Sequence, residues 1–259
     1  MGSADIQGPL WGAAAQDWTA YQESAFLPLW RDALRAVHAR DGMRILDAGC
    51  GAGGACVEAD KIGCEITGID ASTALLEIGR ARLPTARFQE ADLESLPFGD
   101  SEFDAVIAVN SVLYAADMAQ AMKELARVAR PDGKIVITNW GRLEDCEVSD
   151  VLDAVVNLMR FKPPRGPFFL SASGKIEGLL ADAGLTLVER GEVRCDFTYP
   201  SLDICWRAQA SSGPLRAAMN VLGEKKVRTA VEEAAKNHTD PSGAIVFRNT
   251  FVWAAGGKR

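Results

Sequence analysis

The stretch from Met43 to Gly54, Met-Arg-Ile-Leu-Asp-Ala-Gly-Cys-Gly-Ala-Gly-Gly, limits what this chain can fold into more than any other. Ile45 and Leu46 read as a short buried strand that ends in an acidic residue, Asp47, and runs into a turn with glycines at positions 49, 51, 53 and 54, within which a helix is expected to begin, near Ala52. Glycines at a strand-to-helix turn let the backbone take positive φ and let a ligand lie against the main chain without meeting a Cβ. The turn therefore predicts a cradle for a small molecule at one edge of a sheet.

The segments that follow extend the pattern. Strands read at 65–70, 87–92, 103–109 and 134–140, several of them apolar throughout, alternate with helical periodicity at 55–61, 72–82 and 117–130, with Ser72 as a cap and Pro131-Asp132-Gly133 as a stop. Strands that are apolar throughout and alternate with helices predict a doubly wound, mainly parallel sheet covered on both faces. Two helices precede the first strand, one over 13–25 with Trp18 and Tyr21 and one from Pro28 with Leu29, Trp30, Ala33, Leu34 and Val37 on one stripe. Beyond Trp140 the rhythm loosens: a helix over 145–160, a stiff loop at 162–167, a helix over 173–183, a strand over 185–197, two or three helices between 202 and 236, and a last strand over 244–254. No linker-like stretch separates these pieces, so the chain is expected to form one domain over 1–259, with 1–41 as a helical addition or lid, 42–140 as the ligand-binding core and 141–259 completing the sheet with helices inserted near its C-terminal edge.

Composition excludes several classes of partner. The 259 residues are 48% hydrophobic with a formal net charge of −7, and no run of Lys or Arg makes a basic face, so nucleic acid and anionic membrane are poor partners. Cys50, Cys56, Cys64, Cys146, Cys195 and Cys205 contain no Cys-x-x-Cys pair and no histidine at ligand spacing, which favours buried reduced thiols and no metal. Without a signal sequence or a membrane-span-length apolar run, a cytoplasmic location is expected.

In a doubly wound sheet, ligands sit outside the carboxyl ends of the strands. Here those ends carry Asp47, Asp70, Asp92 and Asn110. Gly49, Gly51 and Gly54 fit the Gly-x-Gly-x-x-Gly spacing of dinucleotide sites, but Asp47 would set negative charge beside a pyrophosphate. A cationic ligand without phosphate suits the place better, and Asp70 can accept from a ribose diol in either case. Each aspartate is also a residue type that caps helices and forms turns, and Asn110 is a common turn residue. The recurrence of three carboxylates at successive strand ends favours the ligand reading.

Ile45 to Gly53, then Gly68-Ile69-Asp70-Ala71-Ser72, Ala91-Asp92-Leu93 with Leu96-Pro97-Phe98, Phe103-Asp104-Ala105-Val106, and Leu125-Ala126-Arg127-Val128 with Pro131-Asp132-Gly133-Lys134, taken together, resemble the ordered motifs of the class I S-adenosylmethionine-dependent methyltransferases, most of all the ubiquinone/menaquinone C-methyltransferase-like subgroup. The likeness covers about 44–140. It implies the seven-stranded Rossmann-like methyltransferase fold and S-adenosylmethionine as cofactor, with S-adenosylhomocysteine as product. Carried over residue by residue, it implies that Gly49 and Gly51 line the methionine moiety, Asp47 holds its amino group and Asp70 takes the ribose hydroxyls. Ala71 then sits by the adenine, Asp92 accepts from its amine, Leu93 offers a backbone contact and Asn110 reaches the methionine end. Trp18 and Tyr21 are placed to close the N-terminal helix over the site, although core packing is the commoner role for such aromatics.

The acceptor expected is a small, fairly hydrophobic molecule methylated on carbon or oxygen, walled by some of Phe161, Phe168, Phe169, Phe197, Tyr199 and Trp206. No catalytic base is assigned, because neither His38 nor His238 is placed by a motif at the cofactor. Two rival functions are a nicotinamide-dependent oxidoreductase and a non-catalytic protein that binds the same cofactor. Against the first, no Tyr is followed four residues later by Lys. The oligomeric state is left open.

Overall fold

A computed structural model of the chain describes residues 2–160 and 166–258. Seven strands form one sheet in the order β3-β2-β1-β4-β5-β9-β6. β1 (Arg44–Ala48), β2 (Glu65–Asp70), β3 (Arg87–Glu90), β4 (Phe103–Ala108) and β5 (Ala129–Trp140) run parallel, and β9 (Thr250–Lys258) enters antiparallel between β5 and β6 (Leu185–Arg194). This is the mainly parallel seven-stranded Rossmann-like methyltransferase fold expected from the sequence. Apolar side chains explain the inner strands: Ile45, Leu46, Val106, Ile107, Ile135 and Val136 are wholly buried, with helices on both faces.

The helices form where capping and apolar periodicity agree. α5 (Thr73–Arg82) starts at Ser72, whose hydroxyl accepts from the Leu75 N–H at 3.3 Å, as expected. α6 (Met118–Val128) is capped in the same way by Asp117, which accepts from Gln120. The helix ends earlier than its pattern suggested. Ala129 already pairs with Phe103, and residues 130–133 bulge out before regular pairing resumes between Lys134 and Ala105.

Two expected strands are each broken. The run expected over 185–197 is β6 followed by β7 (Phe197–Tyr199), and the last strand is β8 (Ile245–Phe247) followed by β9. β7 and β8 pair as a separate two-stranded ribbon. Between ribbon and sheet, the Cys195 N–H donates to the Asn249 carbonyl, and the buried Asn249 side chain accepts from Val148 N–H and donates to the Phe247 carbonyl. The bend thus keeps its backbone groups paired while it turns the ribbon out of the sheet.

The N-terminal region is also less regular than one helix over 13–25. α1 (Ala4–Gly12) and the single turn α2 (Ala15–Asp17) lead into a π turn over Trp18–Gln22 and a 3₁₀ turn over Glu23–Phe26, before α3 (Leu27–Ala36). After α4 (Gly54–Asp60), α5 and α6 come α7 (Ser149–Val156) and α8 (Lys175–Asp182), followed by three helices between 202 and 236, α9 (Leu202–Ala210), α10 (Gly213–Leu222) and α11 (Glu224–Lys236). The stiff loop expected at 162–167 lies mostly outside the described residues, as does Phe161. Among the described residues no helix is long and apolar enough to cross a membrane, and no cluster of His, Cys, Asp or Glu could hold a metal ion.

Candidate functional site

The chain order reverses between β1 and β4, which are neighbours in the sheet, and loops diverging from such a switch leave a crevice. It opens here into a cavity of about 730 Å³. The glycine loop and the ends of β1, β2 and β4 make its floor, with α1 and Trp18–Glu23 above and parts of α7, α9 and α10 at the far side. Asp47, Gly49, Gly51, Asp70, Ala71, Asp92, Leu93 and Asn110 all line it.

The glycines do different work. Gly49 has φ +85°, and a Cβ there would come within 2.2 Å of the Ser111 Cβ, so both conformation and space require glycine. Ser111 donates to the Ala48 carbonyl at 2.6 Å and so ties the start of the glycine loop to the loop after β4. Gly51 has φ +55° but faces open space, which leaves its backbone approachable from the cavity.

Asp47 is 2% exposed. One carboxylate oxygen accepts from the Cys56 thiol at 3.4 Å; the other, Oδ1, is buried without a partner. Burial raises its pKa to about 7, with Asp70 and Glu23 adding to the rise through like charge and the Cys56 bond opposing it. A buried carboxylate with an empty acceptor position beside a cavity suits a cationic group. Asp70 accepts from Gly51 N–H at 2.9 Å and Ser72 N–H at 2.8 Å, one to each oxygen, so each oxygen keeps a further lone pair. Desolvation raises its pKa as well.

Asp92 is bridged to the roof: its Oδ2 accepts from the Ala4 N–H at 3.4 Å and its Oδ1 from Glu94 N–H at 2.9 Å. Asn110 takes the left-handed backbone conformation, φ +52°, which Asn tolerates better than most residues. Its N–H donates to Thr138 Oγ1 on β5, and its Oδ1 accepts from the same hydroxyl, which fixes the side chain beside the cavity.

Of the two expected lid aromatics, Trp18 lines the cavity, its ring edge-on to Trp11 and stacked on Phe26. Tyr21 does not: its ring lies under the Arg207 guanidinium at 4.5 Å, because the wider winding of the π turn over Trp18–Gln22 moves residues three apart off a common face. Among the expected aromatic walls, Phe169 and Phe197 line the cavity, whereas Trp206 is core and Phe168 packs on Trp140. His38 and His238 are elsewhere, beside Lys134 and Asp150 respectively.

Several cavity residues were missed in the sequence. Glu23, 5% exposed, pairs with Arg82 and lies close enough to raise the pKa of Asp47. Arg82 also donates to the Ala52 carbonyl, so the pair ties the roof to the glycine loop. Tyr114 lines the cavity edge-on to Trp11, and burial pushes its hydroxyl pKa up, which keeps it protonated. Gln22 and Gln209 complete the polar lining of the far side.

Known proteins resemble this arrangement. Residues 46–137 match the family described as a methyltransferase domain. An uncharacterized protein of Mycobacterium tuberculosis is 35% identical over 131 residues, 49% of this chain and 48% of its own length. The O-methyltransferase cnsE of Penicillium expansum is 31% identical over 160 residues, 59% of this chain and 55% of its own length. The chain thus spans about half the length of the curated relatives it matches. The YcgJ protein of Bacillus subtilis shares the fold with a TM-score of 0.57 at 20% identity, over 92% of this chain and 99% of that one.

Proposed function

We propose that this protein is an S-adenosylmethionine-dependent methyltransferase acting on a small, mainly apolar acceptor at carbon or oxygen. Its 259 residues would work as one domain in which 1–41 form the roof, 42–140 hold the cofactor and 141–259 enclose the acceptor. The observation that carries this reading is the unpartnered, buried Asp47 carboxylate oxygen beside a glycine loop open to the cavity. The match to a methyltransferase domain and the O-methyltransferase relative support it, as does the resemblance of the sequence motifs to those of the C-methyltransferase-like subgroup.

In this reading Asp47 would receive the cofactor's ammonium group, Asp70 its ribose hydroxyls, Asp92 its adenine amine, and the backbone around Gly51 its methionine moiety. When bound, the cofactor supplies an electrophilic methyl group on a sulfonium whose departing thioether is neutral. The protein therefore has no anionic leaving group to stabilise. Its contribution is alignment and the exclusion of water by a mostly apolar lining. Four carboxylates, Glu23, Asp47, Asp70 and Asp92, line the cavity and favour a cation over a phosphate. Tyr114, held protonated, would serve as a donor to an oxygen rather than as a base.

Calorimetric titration with S-adenosylhomocysteine and with NAD tests the reading. Binding of the first and not the second is expected, and tight binding of NAD alone would overturn it. Transfer of a labelled methyl group to members of a phenol and enol panel would separate an enzyme from a cofactor-binding protein without activity.

A further inference from the structure

The far side of the cavity carries a polar chain that none of the cofactor residues uses. Tyr199 on β7, 2% exposed, donates its hydroxyl proton to Gln22 Oε1 and accepts from Gln209 Nε2 at 3.0 Å. Gln22 and Gln209 are 4% and 6% exposed, and both line the cavity. Each amide spends one atom on Tyr199. The other two atoms, Gln22 Nε2 and Gln209 Oε1, have no protein partner among the described residues, and both side chains border the cavity. Water in the cavity can meet both atoms, and a molecule that displaces it must offer matching polar groups or lose those hydrogen bonds.

The polarity of the pair does not depend on how the two amides are turned. As long as the buried phenol spends its one proton within the pair, one glutamine accepts from Tyr199 and the other donates to it. Turning both glutamines over reverses the chain and still leaves one donor and one acceptor facing the cavity. Gln22 also precedes Glu23, whose charge is felt at Asp47, so the pair stands next to the expected methionine end of the cofactor site. Around it the lining is apolar, with Trp18, Val155, Phe197 and Ala218.

We infer that Gln22 and Gln209, set by Tyr199, are specificity-determining residues that select an uncharged, mainly apolar acceptor molecule carrying both a hydrogen-bond donor and a hydrogen-bond acceptor. The inference rests on the methyltransferase reading for the role of that molecule, but not for its binding. Gln22 and Gln209 touch the molecule; Tyr199 is a positioning residue. Sites that pair with a substrate's polar groups reject analogues lacking them much more strongly than apolar walls reject a change in size. Four carboxylates on the same cavity outnumber its one described cation, Arg160, and so disfavour an anion.

The test uses the full chain saturated with S-adenosylhomocysteine and four kinds of bicyclic probe: hydroxy-acetylnaphthalene isomers, acetylnaphthalene, methylnaphthalene and hydroxynaphthoate. At least one hydroxy-acetyl isomer is expected to bind about tenfold more tightly than acetylnaphthalene, and hydroxynaphthoate to bind worst. In Gln22→Met and Gln209→Met this advantage should shrink to less than about threefold, with S-adenosylhomocysteine affinity unchanged. Tyr199→Phe should lose discrimination between probes while still binding methylnaphthalene as the wild type does, a split that a general loss of structure would not produce. Equal binding of the neutral probes by the wild type would overturn the inference, as would a preference that survives both glutamine substitutions. The wild-type comparison needs no variant to fold. If S-adenosylhomocysteine fails to bind, the methyltransferase reading falls, and the same probes on the ligand-free chain still decide the role of the glutamine pair.

Discussion

Asp70 at the end of β2 accepts the Gly51 N–H at 2.9 Å, so the carboxylate proposed to hold the ribose also fixes the glycine loop beside it. One side chain thus shapes the cradle from within and faces what the cradle would hold. Replacing it by alanine should therefore act twice. Cofactor affinity should fall by roughly 2 to 4 kcal/mol, the loss of a charged acceptor for two hydroxyls discounted for non-additivity. Folding stability should fall as well, since the Gly51 and Ser72 N–H groups lose their acceptor. Calorimetry and urea unfolding on Asp70→Ala measure the two effects separately, and unchanged affinity would remove Asp70 from the ribose site.

Asp47 makes cofactor affinity depend on pH. In the free protein its pKa stands at about 7, above the ordinary aspartate value of 3.8, chiefly because burial disfavours the charge. A cationic partner needs the carboxylate, so binding below pH 7 must expel a proton, and S-adenosylhomocysteine affinity should climb by up to about tenfold per pH unit toward 7 and then level off. The stability linkage has the opposite sense. The raised pKa gives the free protein a contribution that is complete below about pH 4 and is lost as pH rises through about 7. Asp47→Asn should flatten both profiles, measured by titration in buffers of different ionisation heat and by thermal unfolding across pH 5 to 8.

Glu23 should move that midpoint. Its charge is one of the two that raise the Asp47 pKa beyond the effect of burial, so Glu23→Gln should bring the affinity profile to a midpoint below 7. Arg82 is 31% exposed in its side chain and keeps the Ala52 carbonyl, so the stability cost should be only about 1 kcal/mol. An unmoved midpoint with intact folding would show that the two carboxylates are not coupled.

The loop glycines should separate stability from binding. Gly49→Ala combines left-handed strain with a Cβ 2.2 Å from that of Ser111 and should cost about 2 to 5 kcal/mol of folding stability. Gly51→Ala meets open space and should cost only the strain, about 1 to 2 kcal/mol, while its methyl group intrudes on the cradle and weakens S-adenosylhomocysteine binding. Chemical denaturation beside calorimetry distinguishes the patterns, and a Gly51→Ala that binds normally would exclude close approach at that residue.

The cysteines give a simple check on packing. All six are buried and unbridged, with burial raising the pKa of the Cys50 and Cys205 thiols. Dithionitrobenzoate should find almost no reactive thiol in the folded chain at neutral pH and six after unfolding.

Much of this fold could be read directly from the chain. β1 and β4 are short apolar runs with punctuated ends, and Ser72 announces its helix by residue type alone. The break at Cys195 could not be read, because Phe197 and Tyr199 keep the alternation of β6 and the bend is stabilised by Asn249, more than fifty residues away. The residues proposed to hold the cofactor were legible as cavity-lining for the same local reason: Asp47, Asp70, Asp92 and Asn110 lie at or just beyond the carboxyl ends of β1 to β4, which border the crevice. Gln22, Glu23 and Gln209 were not, because each reads as an ordinary polar residue on a helical stretch. Glu23 acquires its partner 59 residues later and Gln22 177 residues later. Tyr21 and Trp18 looked equivalent as aromatics three apart, and only the irregular winding of the turn decides which faces inward.

The first helix meets the rest of the protein along a seam in which Gly2 abuts Asp92, Gly8 the Ala71 carbonyl and Gly12 the Ser72 hydroxyl, each too closely for a Cβ without adjustment. A junction of that kind is held by shape at its full length and by few polar ties. It seals like a zip with fine teeth: one added methyl group at Gly8 would wedge the whole edge ajar and admit solvent over the end of the chamber where we propose the adenine lies.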